Sequence, residues 1–277
     1  MQGKIGCANV LSDLYSMGIT TCDNMLMLLA SSTDMEKETA ETTTKLMIKG
    51  FNEQAVEAGT KVTGGQTVRN PWPIIGGVAT SICSVDDSIL PENAIEGDLL
   101  ILTKPLGTQL AVNAHQWLHM PMKWERIESI TNETEVENAY YKSIKSMSRL
   151  NKIAASLMHK YKAHGATDVT GFGILGHATN LAKNQKNKVA FEIHTLPIIK
   201  DMAKIDQHIN NSFKLLSGLS AETSGGLLIC IPQDHAIPFI NEIYELEKQE
   251  AWIIGRVLSS DIANHCYITP NPTIIEV

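Results

Sequence analysis

Apolar residues recur at helical spacing from Ile5 through Ala8 and Leu11 to Leu14 and Tyr15, and Gly18 follows as a terminator, so the pattern predicts a helix over 5–17. The next run, Met25-Leu-Met-Leu-Leu-Ala30, is short, unbroken and bounded by polar residues, the mark of a strand buried on both faces. Ser31, Ser32, Thr33 and Asp34 offer N-caps for a long helix. Its apolar positions Leu46, Met47, Phe51, Ala55 and Ala58 fall on one side, and Gly59 stops it. Lys61-Val-Thr leads into Gly64-Gly65-Gln66-Thr67, placed between a strand and a loop. After Asn70-Pro-Trp-Pro, Ile74 to Cys83 is again strand-like. Strand, helix and strand in succession predict an α/β domain.

Ser84 to Gly97 combines turn residues and charge with little periodicity, and the domain boundary is placed there. This divides the chain into residues 1–84, a linker 85–97, and residues 98–277. Beyond the linker, Asp98 to Thr103 reads as a strand, Lys104-Pro-Leu-Gly107 as a turn and Thr108 to Leu118 as a helix. One long helical segment runs from Glu133 to Tyr161, and another helix from Gly176 to Lys186. Val189 to His194 and Leu227 to Ile231 read as strands, Asp234 to Gln249 as a helix and Trp252 to Val257 as a strand. The tail, with Pro270 and Pro272, reads as irregular.

Composition narrows the class. Of 277 residues, 43% are apolar and 19% charged, which predicts an ordinary soluble globular protein with a real core. The net charge of −7 and the lack of a basic stripe argue against nucleic acid, though not against a nucleotide. Five cysteines at 7, 22, 83, 230 and 266 suggest neither a disulfide framework nor a zinc knuckle, so a reducing, cytoplasmic setting is expected. Cys7, Cys83 and Cys230 lie in apolar surroundings and read as core. No apolar run approaches the ~20 residues of a membrane helix, and no leader is expected from the first residues.

Gly171-Phe-Gly173-Ile-Leu-Gly176 is formally G-x-G-x-x-G, but the preceding Lys160 to Thr170 is polar where a dinucleotide fingerprint needs an apolar strand. The better reading is a tight turn into a helix, presenting Asp168. Carboxylates without histidine or thiolate partners suit a hard cation such as Mg²⁺, which takes one or two carboxylates plus substrate phosphates. Asp13, inside an otherwise apolar helix with Asn9 one turn before it, and Asp168 are the acids least explained by solvation. Backbone N–H groups of Gly64-Gly65-Gln66-Thr67 and the Thr67 hydroxyl suit phosphate, although no Walker lysine follows. Glu222-Thr-Ser-Gly-Gly226 reads as a strand entry. His115 and His119 share a helix face with no glutamate to complete a zinc motif, so they read as surface or interface residues.

Six stretches taken in order resemble selenophosphate synthetase (selenide, water dikinase), especially its animal-type members. They are Cys7 to Gly18, Asp23 to Leu29, Val62 to Thr67, Gly97 to Gly107, Thr167 to His177 and Glu222 to Leu228. The resemblance implies the two-domain α/β (α+β) fold of aminoimidazole ribonucleotide synthetase, with an N-terminal ATP-binding and dimerisation domain that is incomplete here and a C-terminal synthetase domain. It implies ATP and selenide as substrates, selenophosphate, AMP and phosphate as products, Mg²⁺ as cofactor, and a homodimer in the full-length form. Asp13 would bind Mg²⁺ and contact ATP, Asp168 would bind Mg²⁺, and Gly64, Gly65, Gln66 and Thr67 would contact ATP. The selenium-handling Cys or selenocysteine and a lysine are expected upstream of the stretch that starts at Met1, so no catalytic residue is assigned within this chain. A non-catalytic paralog or isoform that binds partners is the alternative. Aminoimidazole ribonucleotide synthetase and thiamine-phosphate kinase share the fold, but the Val62–Thr67 and Thr167–His177 stretches favour the selenium branch.

Overall fold

Two sheets divide the chain, and the computed structural model describes every residue from Met1 to Val277. The first part contains α1 (Gln2–Ser16), β1 (Asn24–Ser32), α2 (Lys37–Glu57), β2 (Val62–Asn70) and β3 (Ile74–Thr80). Its strands are ordered β2-β1-β3, with β1 parallel to β2 and antiparallel to β3. Cys7, Leu11 and Tyr15 of α1 and Phe51 and Ala55 of α2 bury one face of this sheet around Met25. Alternation along β1 sends Leu26 and Leu28 to the other face, where they stay exposed with Val68, Ile74 and Val78. β1 is therefore buried on one face, not two, because helices cover only one side. The long helix begins at Lys37, beyond the expected caps. Ser32 spends its hydroxyl on the N–H groups of Asp34 and Met35 in the preceding turn. Leu46 points outward at 60% exposure, while Met47, Phe51, Ala55 and Ala58 are buried as the spacing predicts.

After a single 3-10 turn at Val85–Asp87, the second part runs β4 (Leu99–Leu102), α3 (Thr108–Trp117), α4 (Pro121–Trp124), α5 (Glu133–Ser148), α6 (Lys152–Lys160), β5 (Gly165–Asp168), α7 (Gly173–Lys183), β6 (Val189–Ile198), α8 (Met202–His208), β7 (Leu227–Ile231), α9 (Gln233–Glu247), β8 (Trp252–Ser259) and β9 (His265–Glu276). Its six strands are ordered β5-β7-β4-β8-β6-β9 and antiparallel except for the β6–β9 pair. Helices cover both faces. Leu100, Leu102 and Cys230 face Leu110, Ala114, Ile174 and Leu181, while Ile101, Ile229 and Ile231 face Met158, Phe239 and Ile243. This two-sided burial explains why β4 and β7 read as unbroken apolar runs.

Three expectations change. The segment expected as one helix over 133–161 is broken at Arg149, whose backbone is extended (ψ 133°), and the break puts Asn151 at the start of α6. A strand, β5, does precede the glycine-rich turn; it is short and polar at Thr167 because it forms the sheet edge. The tail is a strand, β9, and its prolines sit where pairing with β6 jumps from Ile193↔Ile268 to Thr195↔Thr273, so neither is asked for a ladder hydrogen bond.

The two parts meet along α1, which packs against α5, α6 and β5, and Leu150 and Ala155 complete the core beneath it. Phe51 is fully buried there. Phe51→Ala is expected to cost about 3–5 kcal/mol in urea unfolding, while Leu46→Ala on the outer face of the same helix stays within about 0.5 kcal/mol.

Candidate active site

The carboxyl end of β5 and the exposed side of α1 form one corner. Asn9 and Asp13 lie one turn apart on α1, both exposed, with Ser12 buried beside them. Asp168 ends β5, in register with Leu227, and is almost fully buried. The turn after it is laced to the 222–226 segment: Val169 N–H donates to the Gly226 carbonyl (2.9 Å) and Glu222 N–H to that of Thr170 (3.0 Å). α7 then starts at Gly173, which has φ +69°. A Cβ there would lie 2.5 Å from the Gly218 carbonyl oxygen, so the middle glycine of the G-x-G-x-x-G pattern answers to the turn.

Side chains from both parts of the molecule lock this corner. Asn151, freed by the break between α5 and α6, donates from Nδ2 to Ser12 Oγ (3.0 Å) and to the Gly225 carbonyl (2.9 Å). Ser224 N–H donates to Asn9 Oδ1 (3.1 Å). The buried Lys104 ammonium donates to the carbonyls of Arg149 (2.6 Å) and Ser224 (2.9 Å), without a carboxylate in contact. Arg149 in turn holds the Thr103 carbonyl and pairs with Glu247 at 2.8 Å. Glu222 is buried and accepts from the N–H groups of Gly107 (2.6 Å) and Thr108 (3.0 Å) and from the Thr108 hydroxyl, so it closes the N-terminus of α3.

The charges in the corner are strained against one another. Partial desolvation in the corner, and then the neighbouring Asp168 carboxylate, raise Asp13 above the ordinary aspartate range although its side chain still reaches solvent. Burial also raises Asp168, against the opposing pull of a hydrogen bond from Ser12 and the charge of Lys104. Lys104 is pushed well below the usual lysine range by burial and by Arg149. Two neighbouring carboxyls, one raised in part by the charge of the other, would suit a hard divalent cation. No cluster of three or more His, Cys, Asp or Glu side chains positioned for a metal exists in the chain. A cation here would thus complete its shell from water and ligand oxygens, as Mg²⁺ does with phosphates. Ser224 Oγ is buried and has no hydrogen-bond partner, a further polar atom left for a ligand in this corner.

The structure thus brings together Asp13 and Asp168, which sequence reasoning singled out, from positions 155 residues apart in the chain. It treats Gly64-Gly65-Gln66-Thr67 differently. These residues lie within the edge strand β2, paired with Leu26 to Leu29, and not between a strand and a loop. All four are exposed, and no hydrogen bond or ion pair links them to Asp13 or Asp168. Gly65, with φ +146°, is fixed by β1 itself, since a Cβ would fall 1.9 Å from the Met27 carbonyl oxygen. Sequence reasoning missed Ser12, Lys104, Asn151, Glu222 and Ser224 as members of the site. The available signal was a lysine and a glutamate set in turns that abut apolar strands, positions where charge is rarely buried without purpose. Of the cysteines read as core, Cys7 and Cys230 are buried but Cys83 is exposed. His115 stacks on Tyr140 with ring centroids 3.9 Å apart, an intramolecular role.

Residues 1–83 match the AIR synthase related protein, N-terminal domain, and residues 96–264 the AIR synthase related protein, C-terminal domain. The chain is 61% identical over 281 residues to a selenide, water dikinase of Dictyostelium discoideum, covering all of this chain and 77% of that protein. It is 55% identical over 280 residues to selenide, water dikinase 2 of Homo sapiens, covering all of this chain and 62% of that protein. It therefore spans about three quarters of the first relative and less than two thirds of the second. In fold it is similar to hydrogenase maturation protein HypE in complex with ATP, with TM-score 0.71 at 14% identity over 96% of this chain and 75% of that one. It is also similar to thiamine-monophosphate kinase from Stenotrophomonas maltophilia, with TM-score 0.64 at 19% identity over 98% and 79%. At these identities the structural likeness speaks for fold alone.

Glu222 gives the corner a pH dependence. Burial raises its carboxyl from 4.5 to about 7 against the pull of its three donors. The folded chain therefore holds this proton more tightly than the unfolded one. The associated stability is complete below pH 4.5 and is lost as pH rises through about 7. Urea midpoints measured from pH 4.5 to 8 should fall more steeply for the native chain than for Glu222→Gln, which removes the titration.

Proposed function

This chain belongs to the AIR synthase related protein family and, within it, to the selenide, water dikinases, and from that premise we propose that it serves ATP-dependent phosphoryl transfer to selenide. The products are selenophosphate, AMP and phosphate. The observation that carries the reading is the convergence of Asp13 from α1 and Asp168 from β5 on one corner, each carboxyl raised by burial. Mg²⁺ is the assigned cofactor, held by Asp13 and Asp168; when bound it supplies charge neutralisation for phosphate oxygens. Asp13 is assigned to nucleotide contact as well.

The chain's own residues prepare this chemistry by fixing positions. Phosphoryl transfer is mostly positioning and electrostatic stabilisation, so a rigid corner matters more than a strong base. Asn151 and Ser224 bind α1 to the β7 entry and hold Asn9 and Ser12, the neighbours of Asp13, in place. The charge of Lys104, where it is present, pulls on Asp168 and favours that carboxyl's ionised form. Gly64, Gly65, Gln66 and Thr67 are assigned to ATP contact, supported by their exposure on an edge strand whose outer N–H groups are unpaired within the chain.

The domain assignment that accompanies this reading is an N-terminal ATP-binding and dimerisation part at 1–84, a linker at 85–97 and a synthetase domain at 98–277. A homodimer is supported by the outer face of the β2-β1-β3 sheet, where Leu26, Leu28, Val68, Ile74 and Val78 form an exposed apolar surface. A cytoplasmic setting agrees with five free cysteines. No helix is long and apolar enough to cross a membrane.

Two measurements test the proposal. Saturating Mg·ATP should raise the melting temperature of the native protein, since a ligand at 100 times its Kd adds about 2.7 kcal/mol. Asp168→Asn and Asp13→Asn should each abolish that rise; a rise unchanged in both variants would remove them from the site. For the dimer, Leu28→Asp with Val78→Asp should shift sedimentation from a two-chain to a one-chain species, and an unaltered dimer would move the interface elsewhere.

A further inference from the structure

Behind the corner just described, the end of α5 and the turn between α9 and β8 enclose a recess of about 240 Å³. Its walls carry Lys142, Lys145 and Arg149 from α5 and its end, Lys248 from the end of α9, and the rings of Tyr244 and Trp252. Lys142 and Lys145 lie one turn apart on α5, and Arg149 follows at its C-terminal cap, so three cations gather at one end of that helix. Arg149 is paired with Glu247, but Lys142, Lys145 and Lys248 take part in no ion pair. Glu250 is the one carboxylate in the lining. An excess of positive charge is thus gathered in a concave place, in a chain whose net charge is −7.

Cations near a helix C-terminus can serve the helix dipole alone. That accounts for Lys145, which lies in the last turn of α5. It does not account for Lys142, one turn earlier and beyond the reach of the terminal carbonyls. Lys248 closes α9 in the left-handed region, φ +53°, a place where glycine or asparagine is the least strained choice. Its ammonium lies 5.8 Å from the centre of the Tyr244 ring, and both residues line the recess.

We propose that this recess is a binding site for a small phosphate-bearing anion, either inorganic phosphate or a phosphate monoester such as a nucleoside monophosphate. Three unpaired ammonium groups match the dianionic head, and the volume falls below the ~300–1,000 Å³ typical of sites for larger ligands. The two rings stand beside the head group, where the body of a monoester would extend. The recess also shares a wall with the candidate active site: the Arg149 carbonyl that receives Lys104 Nζ belongs to the same residue that lines it, and Pro105 follows Lys104 directly. The assignment is independent of the phosphotransfer reading, because it rests on residues outside that corner.

Isothermal titration of the native chain with inorganic phosphate, and separately with AMP, tests the site. Saturable binding is expected, weakened by 0.5 M NaCl as screening requires. Lys142→Gln combined with Lys145→Gln should weaken it at least ~10-fold, while Lys142→Arg with Lys145→Arg retains it. Both positions are exposed, so the fold is not at stake. Tighter binding of AMP than of phosphate identifies the monoester as the occupant, and equal binding identifies the phosphate group alone. The same titrations in Asp168→Asn separate this site from the candidate active site, and binding should persist there. No saturable binding of either probe, binding undiminished in the double glutamine variant, or binding lost only in Asp168→Asn would overturn the proposal.

Discussion

A lysine ammonium sealed inside the protein, with no carboxylate against it, is the constraint around which this molecule is arranged. Lys104 is 1% exposed, and its Nζ donates to two backbone carbonyls, those of Arg149 and Ser224. Burying such a group costs free energy that its hydrogen bonds must offset, so those two carbonyls must be held where the lysine needs them. Arg149 is held by the break between α5 and α6 and by its ion pair with Glu247, while Ser224 is held in the left-handed region with its N–H on Asn9. Three distant stretches of chain are thereby fastened at one point, and α1 is fastened to them.

The consequence for the candidate site is rigidity at the junction of two separately folded layers. The N-terminal sheet is covered on one side only, whereas the C-terminal sheet is covered on both, and α1 is the element that belongs to the first while packing against the second. Asp13 rides on that helix, and Asp168 ends the edge strand beside it. Partial desolvation and the Asp168 carboxylate raise Asp13, and the network through Asn151 ties α1 to the turn before β7. The same residue that supports Lys104 lines the basic recess behind it, so the front and back of this region share one piece of backbone.

Much of this was legible from residue order. The strands at Leu99 and Leu227 were readable as apolar runs because both faces are buried. α3 and α9 were readable from periodicity and Gly59 from its place as a terminator. Asp13 stood out as an acid inside an otherwise apolar helix and Asp168 as one beside a glycine-rich turn, and the six ordered stretches pointed to the family that the comparisons establish. What misled was local appearance. Met25 to Ala30 looks buried on both faces although its outer face is open, and the proline-bearing tail looks irregular although it pairs with β6 wherever a hydrogen bond is required.

The sequence by itself determined the strongly periodic helices and the apolar strands, though not β5, α8 or β9, together with which residue types are too costly to bury idly and the family to which the chain belongs, because these depend on local periodicity and on chemistry carried by each residue. Only the tertiary structure decided that a helix breaks at Arg149, that Asn151 spans the two layers, that Glu222 closes α3 and that Lys104 is the buried cation. Each of these depends on a partner more than 40 residues away, set in place by the packing of sheets and helices. A hydrogen bond across such a separation leaves no trace in local spacing. The break at 149, the turn at 222 and the lysine at 104 become one feature only when the chain has brought them together.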